Sequence, residues 1–382
     1  MIAFACCVLL GAFTVFYVLF LLSIIRGIRI VHDAHIATPV LMEELSSLPF
    51  VTVLLPVRNE EKYIRACLHS LLAQQYPDDR FEIIVLDDAS EDATTTLVEL
   101  SMRQDARVRL LTIQRNDGGG KKVLISRGVA EARGEIIVTT DADCIHDARW
   151  LLTLVRSFDE QIEFLSAPVI FHITKSFLQK LIALEFLGLV GVGAGFIGIG
   201  YPKLCNGANI AFRKHAFERV CGYDSDDARS SGDDEFLMQK IFRQHGGVTF
   251  NPSREAIVRT EAPQSLLEFF EQRKRWASKG LYYRDAKFVA FLLSLFLYFT
   301  LMLLSPFLVW SVDWGMLCCL LFLLVKWISD YAVLIAASRL LRQRFTFSHF
   351  IIAEIFHIPY IVLVSILGSL TSFKWKDRKL KS

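Results

Sequence analysis

Several common signatures are missing from this chain. None of its eight cysteines lies in a C-x-x-C pair or at zinc-ligand spacing, which excludes a zinc ribbon and a thioredoxin-type redox motif. Four of them fall inside apolar end segments, and a reduced, cytosol-facing middle is the simplest account of the rest. The G-x-x-x-x-G-K-[ST] spacing of a P-loop is absent. Charge of either sign is nearly balanced at a formal +2, which says little about partners, and the placement of the basic residues says more than their sum; no nucleic-acid partner is expected. Apolar residues, by contrast, make up 53% of the 382 positions and gather at the two ends, leaving a middle of ordinary globular composition.

Ile2 to Ile25 carries no charge and is long enough to cross a bilayer as a helix. It lacks the basic start and the small-residue cleavage site of a signal peptide, so residues 1–30 read as an uncleaved anchor. Arg26 and Arg29 follow at once and point its carboxyl end to the cytoplasm. Residues 31–49 read as a linker. Three more spans, about Phe288 to Trp310, Gly315 to Ala337 and Phe350 to Ser372, make residues 287–373 a second membrane region. Lys279, Arg284 and Lys287 precede the first, the loop 311–314 has no Lys or Arg, and Arg339, Arg342 and Arg344 follow the second, giving in, out, in. The basic tail, residues 374–382, also reads as cytoplasmic, and Pro359 is expected to break the last span into a re-entrant hairpin that returns it there. The chain is therefore expected to be a multi-pass integral membrane protein with a cytoplasmic middle, in the plasma (inner) membrane if its source is bacterial. Asp330, Glu354 and His357 lie within the spans and form no obvious relay.

Residues 50–286 alternate strand and helix patterns, which implies a mostly parallel α/β sheet. The informative strand is Ile136 to Val138, β-branched and continuous, ending on Asp141-Ala142-Asp143. Ligands in open α/β sheets bind at such carboxyl ends. Two carboxylates this close repel unless a cation lies between them, and hard oxygen donors favour Mg²⁺ or Mn²⁺. An isolated D-x-D is also a common polar turn. Asp87-Asp88-Ala89-Ser90 ends another strand, where carboxylates suit ribose hydroxyls, though Asp and Ser are ordinary turn formers. Gly118-Gly119-Gly120-Lys121 opens a helix whose free N–H groups and lysine suit phosphate. Asp233-Asp234-Glu235 starts another helix, either complementing its dipole or supplying a general base, with Asp234 the favoured candidate. In Gln272-Arg273-Lys274-Arg275-Trp276, helical spacing puts Gln272, Arg275 and Trp276 on one face. A basic juxtamembrane segment with an interfacial tryptophan would look the same. The apolar stretch 181–200, with Glu185 and six glycines, reads as an interfacial helix and loop, since a crossing would separate the two acidic clusters by a bilayer.

Together these motifs resemble family 2 glycosyltransferases, over about Phe50 to Gly280. Pro56-Val57-Arg58-Asn59-Glu60 matches the family's P-x-x-N-E, Asp87 to Ser90 its D-D-x-S, Gly120-Lys121 its G-K, Asp141 to Asp143 its D-x-D, and Gln272 to Trp276 the Q-x-x-R-W of membrane-embedded members. Asp233 stands where the family usually has Glu, and Ser126 where its helix often has Asn. The resemblance implies a GT-A fold, Rossmann-like, with transmembrane helices at both ends. It implies an inverting transfer from a nucleotide sugar, a UDP-sugar in the first instance, to a lipid or lipid-linked acceptor at the cytoplasmic face. A processive synthase extruding a β-linked polymer is the alternative within the family, and a transporter or scaffold the alternative outside it. By the same resemblance Asn59, Glu60, Asp87, Asp88, Lys121, Asp141, Gln272 and Arg275 bind the nucleotide sugar, Asp141 and Asp143 hold Mg²⁺ or Mn²⁺, Asp233 and Trp276 meet the acceptor or glycan, and Asp234 is the base.

Overall fold

The structure, a computed structural model, describes residues 1–37, 48–112, 120–172, 176–223, 233–310, 312–370, 373–375 and 378–380. Compactness divides the chain into two units. One comprises Met1–Ile28, Ile173–Gly195 and Pro263–Ser382, and the other Arg29–His172 and Phe196–Ala262.

Helix α1 (Ile2–Ala37) opens the chain, and β1 (Val51–Val57), α2 (Ile64–Leu72), β2 (Phe81–Asp87), α3 (Thr94–Gln104), β3 (Val108–Thr112), α4 (Lys121–Glu131) and β4 (Ile136–Thr139) follow. The sequence expectation holds here because nearly every residue of β1, β2 and β4 is buried, as continuous Val/Ile/Leu runs require when helices cover both faces. Then come α5 (Trp150–Val155), β5 (Ile162–Ser166), β6 (Val169–Phe171), α6 (Phe177–Gly198), β7 (Ile210–Arg213), α7 (Lys214–Arg219), α8 (Asp233–Arg243), β8 (Gly247–Phe250) and β9 (Val258–Thr260). The main sheet runs β3-β2-β1-β4-β7-β5-β8, parallel except where β7 lies antiparallel to β4 and β5, and β6 pairs β9 in a second, parallel sheet. From β1 the chain builds outward through β2 and β3, then returns to place β4 on the other side of β1. The order reverses between β1 and β4, and a crevice opens at such a switch point.

The other unit is helical. It holds most of α1 and α6, then α9 (Leu266–Ala277), α10 (Ala286–Val309), α11 (Asp313–Leu341) and α12 (Phe347–Leu370). Thus α6 and α9, inside the span 50–286, group with the helices of the two ends. Among the described residues, five helices (α1, α6, α10, α11 and α12) are long and apolar enough to cross a membrane. Two expectations change. Residues 181–200 are not helix and loop but lie largely within the single helix α6. Its glycines serve packing: a Cβ on Gly27 would sit 2.0 Å from the Gly195 carbonyl oxygen, so α1 and α6 cross backbone to backbone. Nor does Pro359 make a hairpin, since α12 is one continuous helix. The lost hydrogen bond is tolerable because the second half of α12 packs on α9, where a Cβ on Gly368 would lie 2.7 Å from that of Ala277. Residues 373–375 pair antiparallel with 378–380 in the basic tail.

Asp330 of α11 converges with Glu354 and His357, which lie one turn apart on α12. Lys326, fully buried on α11, lies 2.7 Å from Asp330 Oδ2, pairs with Glu354 and reaches His357 Nδ1 at 2.8 Å. Tyr17 donates to Asp330 Oδ1 at 2.6 Å. The ligand atoms of the three acceptor residues surround a cation that the chain itself supplies.

Candidate active site

The loops after β1 and β2 lace together at the switch point. Asn59 adopts φ +52°, its amide donates to Ser90 Oγ at 3.0 Å, and its Oδ1 accepts from the Glu91 amide at 2.9 Å. Asn tolerates the left-handed region better than most residues, and its short amide reaches the neighbouring backbone. Glu60 donates its amide to Thr94 Oγ1 at 2.7 Å. Asp87 is 1% exposed, with both carboxylate oxygens accepting from the Ser90 amide. Asp88 is equally buried, and Arg58 donates to its carbonyl oxygen at 2.6 Å. The P-x-x-N-E and D-D-x-S motifs are thus one interlocked pair of turns.

On the other side of the switch point, Gly120 has φ +129°, a conformation side chains rarely adopt, and it delivers Lys121 to the first turn of α4. Gly118 and Gly119 lie outside the described residues. Lys121 Nζ donates to Asp141 Oδ1 at 2.8 Å, so a lysine neutralises the first carboxylate of the D-x-D. Asp143 Oδ2 accepts from Thr260 Oγ1 at 2.9 Å. The loop carrying both is pinned on two flanks. Ile145 exchanges backbone hydrogen bonds with Arg259 of β9, and the buried His146 links Thr140 and Ser70 at 2.8 and 2.9 Å. Because the Ser70 hydroxyl donates to the Cys67 carbonyl, the ring Nδ1–H donates to Ser70 and Nε2 accepts from Thr140.

Burial pushes the His146 imidazole from 6.5 down to about 3, so it stays neutral when folded. Unfolded chain takes up a proton near 6.5 that the folded chain refuses until about 3; stability is therefore expected to be full above that window and to fall as pH drops through it. His146→Gln should flatten that part of a stability-against-pH curve from chemical unfolding. An unchanged slope would mean that other groups set it.

The second acidic cluster reaches the same region through Gly207, in the loop before β7. Its amide donates to Asp234 Oδ2 at 2.6 Å and its carbonyl accepts from Thr139, the last residue of β4, at 2.7 Å. A Cβ there would stand 3.3 Å from Asp234 and 3.4 Å from Lys121 Nζ. Asp234 Oδ1 also accepts from the Glu235 amide in the first turn of α8, so the helix-start role and the shared-site role coexist. Asp233 begins α8, and its side chain lies outside the described residues. Sequence reading missed Gly207 and Thr260. Neither belongs to a motif, and only the strand order brings them here.

On α9, Arg275 and Trp276 are half-buried. The Trp276 ring is not open on every side. The Arg273 guanidinium lies 4.1 Å over it, and Phe186 is 6.0 Å away.

Two family profiles match the chain, Glycosyl transferase family 2 over residues 52–195 and Glycosyl transferase family group 2 over residues 136–375, the latter more than half its length. The chain belongs to glycosyl transferase family 2. Among curated relatives of this family 2 chain, the probable glycosyltransferase YdaM of Bacillus subtilis is 30% identical over 253 residues, 65% of this chain and 59% of the relative. Shorter stretches match poly(ribitol-phosphate) beta-N-acetylglucosaminyltransferase TarS of Staphylococcus aureus (37% over 94 residues, 24% of this chain and 16% of TarS) and beta-monoglucosyldiacylglycerol synthase of Trichormus variabilis (32% over 120 residues, 31% and 25%). The chain spans 59% of the first relative and a quarter or less of the other two. Among solved structures, mannosyltransferase PcManGT from Pyrobaculum calidifontis, in complex with GDP-Man and Mn²⁺, superposes with a TM-score of 0.56 at 18% identity, covering 97% of this chain and 98% of its own. That likeness shows the shared GT-A fold.

Proposed function

We propose that the protein is an inverting glycosyltransferase that moves a sugar from a nucleotide sugar, a UDP-sugar in the first instance, to a lipid or lipid-linked acceptor at the cytoplasmic face of a membrane. The observation that carries this reading is the single cluster at the β1/β4 switch point, where Lys121 bridges to Asp141 and Gly207 joins Asp234 to the end of β4. Asp234, oriented by two backbone amides, takes the proton of the acceptor hydroxyl as its oxygen attacks the anomeric carbon opposite the departing diphosphate. One base and one displacement give inversion. Asn59, Glu60, Asp87 and Asp88 form the nucleotide side, and Lys121 exchanges Asp141 for phosphate when donor arrives. Gln272 and Arg275 are assigned to the diphosphate, and Asp233 and Trp276 to the acceptor.

Asp141 and Asp143 fit a divalent cation: both are hard oxygen donors, and the side chain of Asp141 is 40% exposed beside a strand end. Mg²⁺ or Mn²⁺ bound there would neutralise the leaving diphosphate. Chelation is expected to stop transfer and either metal to restore it. Full activity in chelator would remove the metal role.

The interior of the helical unit favours a single transfer over polymer extrusion. Tyr17, Tyr298, Lys326 and Glu354 fill the space among α1, α10, α11 and α12 that a polymer would need. The decisive test incubates membranes holding the protein with labelled nucleotide sugars and metal, then separates organic extract from high-mass material. Label in a small organic-soluble product supports the reading, and label in long polymer replaces it with a synthase.

Chain connectivity supports the orientation. β5 and β6 precede α6, their partners β7 and β9 follow it, and so both ends of α6 lie on one side of any membrane. α12 runs beside α6, from Phe177 on His349 to Glu185 on Tyr360, and does not cross either. The basic tail is then cytoplasmic. A carboxyl-terminal epitope tag should react with antibody only after permeabilisation, whereas labelling of intact cells would make α12 a full crossing.

A further inference from the structure

The Q-x-x-R-W motif leaves its second position unspecified, and here that position is Arg273, the one arginine of α9 that is almost wholly buried. A buried guanidinium has five N–H donors to satisfy and no acceptor of its own. Its partners are unusual in where they lie. Arg273 Nε donates to Glu185 Oε1 at 2.9 Å and Oε2 at 3.2 Å, Nη2 pairs with the same carboxylate, and Nη1 donates to Gln272 Oε1. Tyr360 of α12 donates to Glu185 Oε1 at 3.1 Å. The guanidinium plane lies between two rings, Trp276 at 4.1 Å and Phe269 at 4.8 Å, and Tyr360 stacks on Phe269 at 5.3 Å. One cation therefore holds Gln272 by a hydrogen bond and Trp276 by its ring face, and is itself held by α6 and, through Glu185, by α12.

We infer that Arg273 is a positioning residue for acceptor recognition: with Glu185 and Tyr360 setting its orientation, it fixes the side chain of Trp276 and thereby the affinity for the lipid acceptor, and it steadies Gln272 beside it. The inference rests on the proposed assignment of Trp276 to the acceptor. A planar fork suits the task better than an ammonium would, because it bonds a carboxylate along one edge while presenting a face to an indole. Loss of the Glu185 carboxylate would leave the guanidinium free to swing toward water, taking both side chains with it.

The test uses full-length protein reconstituted with the membrane lipid extract that takes up label, diluted stepwise with dioleoylphosphatidylcholine, with initial rates measured against extract fraction and against nucleotide sugar. Glu185→Gln is expected to raise the extract fraction giving half-maximal rate by about tenfold, the equivalent of one hydrogen-bonded anchor, and the nucleotide-sugar KM by less, about threefold, because Gln272 keeps its place on α9 and loses only the hold on its side chain. Tyr360→Phe should move it the same way by less. The charge swap Glu185→Arg with Arg273→Glu separates positioning from packing. It restores an ion pair but puts no guanidinium on Trp276, so the unfolding temperature should recover and the acceptor half-saturation should not. Recovery of both, or loss of stability in Glu185→Gln without any acceptor shift, overturns the inference and leaves a structural clasp. Trp276→Ala serves as the control on the underlying assignment. If it leaves acceptor half-saturation unchanged, the acceptor role of α9 fails, and the inference with it, whereas an effect of Trp276→Ala without one of Glu185→Gln rejects Arg273 alone.

Discussion

Asp234→Asn is expected to lower the rate of sugar transfer by about a thousandfold, the middle of the range for removing a general base, with UDP binding retained. The geometry explains why the two effects should part. Asp234 meets backbone amides through both oxygens, from Gly207 and Glu235. Asn can keep one of these bonds, so the loop before β7 and the start of α8 stay in place at a modest cost. It cannot take a proton. Of the residues assigned to the nucleotide sugar, Asn59, Glu60, Asp87 and Asp88 lie in the turns after β1 and β2, Lys121 on α4, Asp141 after β4, and Gln272 and Arg275 on α9, and the described hydrogen bonds of the Asp234 carboxylate go to Gly207 and Glu235 instead. Calorimetric titration with UDP should therefore give nearly the wild-type affinity, and single-turnover rates should carry the whole loss. Wild-type turnover in Asp234→Asn would remove it as the base. A parallel loss of UDP binding would mean that the substitution disturbed Gly207, and through it Thr139 and the end of β4.

The difference between what the sequence made legible and what it did not follows from range. The runs Val51 to Val57, Phe81 to Asp87 and Ile136 to Thr139 are locally unambiguous, and their order forces a parallel sheet with polar residues at one edge. The D-x-D, the glycine before Lys121 and the Q-x-x-R-W spacing are equally local. Contacts across distant segments are not. Gly207 matters because β7 inserts antiparallel beside β4, a pairing no periodicity announces. Lys121 reaches Asp141 across a strand and a turn. Pro359 argued for a break that packing on α9 prevents, and the six glycines of 188–200 suggested a loop, where Gly191 and Gly195 instead let helices touch. In each case tertiary contact outweighed a local propensity.

The same logic makes Lys326→Met the substitution with the largest expected effect on stability. Lys326 is the only cation that the described contacts bring to Asp330 and Glu354, and its side chain is completely buried. Removing one partner of a buried pair typically costs about 3–5 kcal/mol, because the carboxylate left behind keeps its desolvation penalty and loses its compensation. Two carboxylates are left here. Asp330 retains the Tyr17 hydroxyl, but Glu354 loses the ammonium donor that compensates it, and His357 loses the same ammonium at its Nδ1. Methionine fills most of the lysine volume, so a cavity contributes little and the loss reports charge. Thermal unfolding of purified protein in one detergent is the measurement. Lys326→Met combined with Glu354→Gln should recover part of the loss, since neutralising the stranded acid removes most of what made the single change costly. Full stability in the single variant would mean that water already reaches these groups, and that α1, α11 and α12 are held by their apolar surfaces alone.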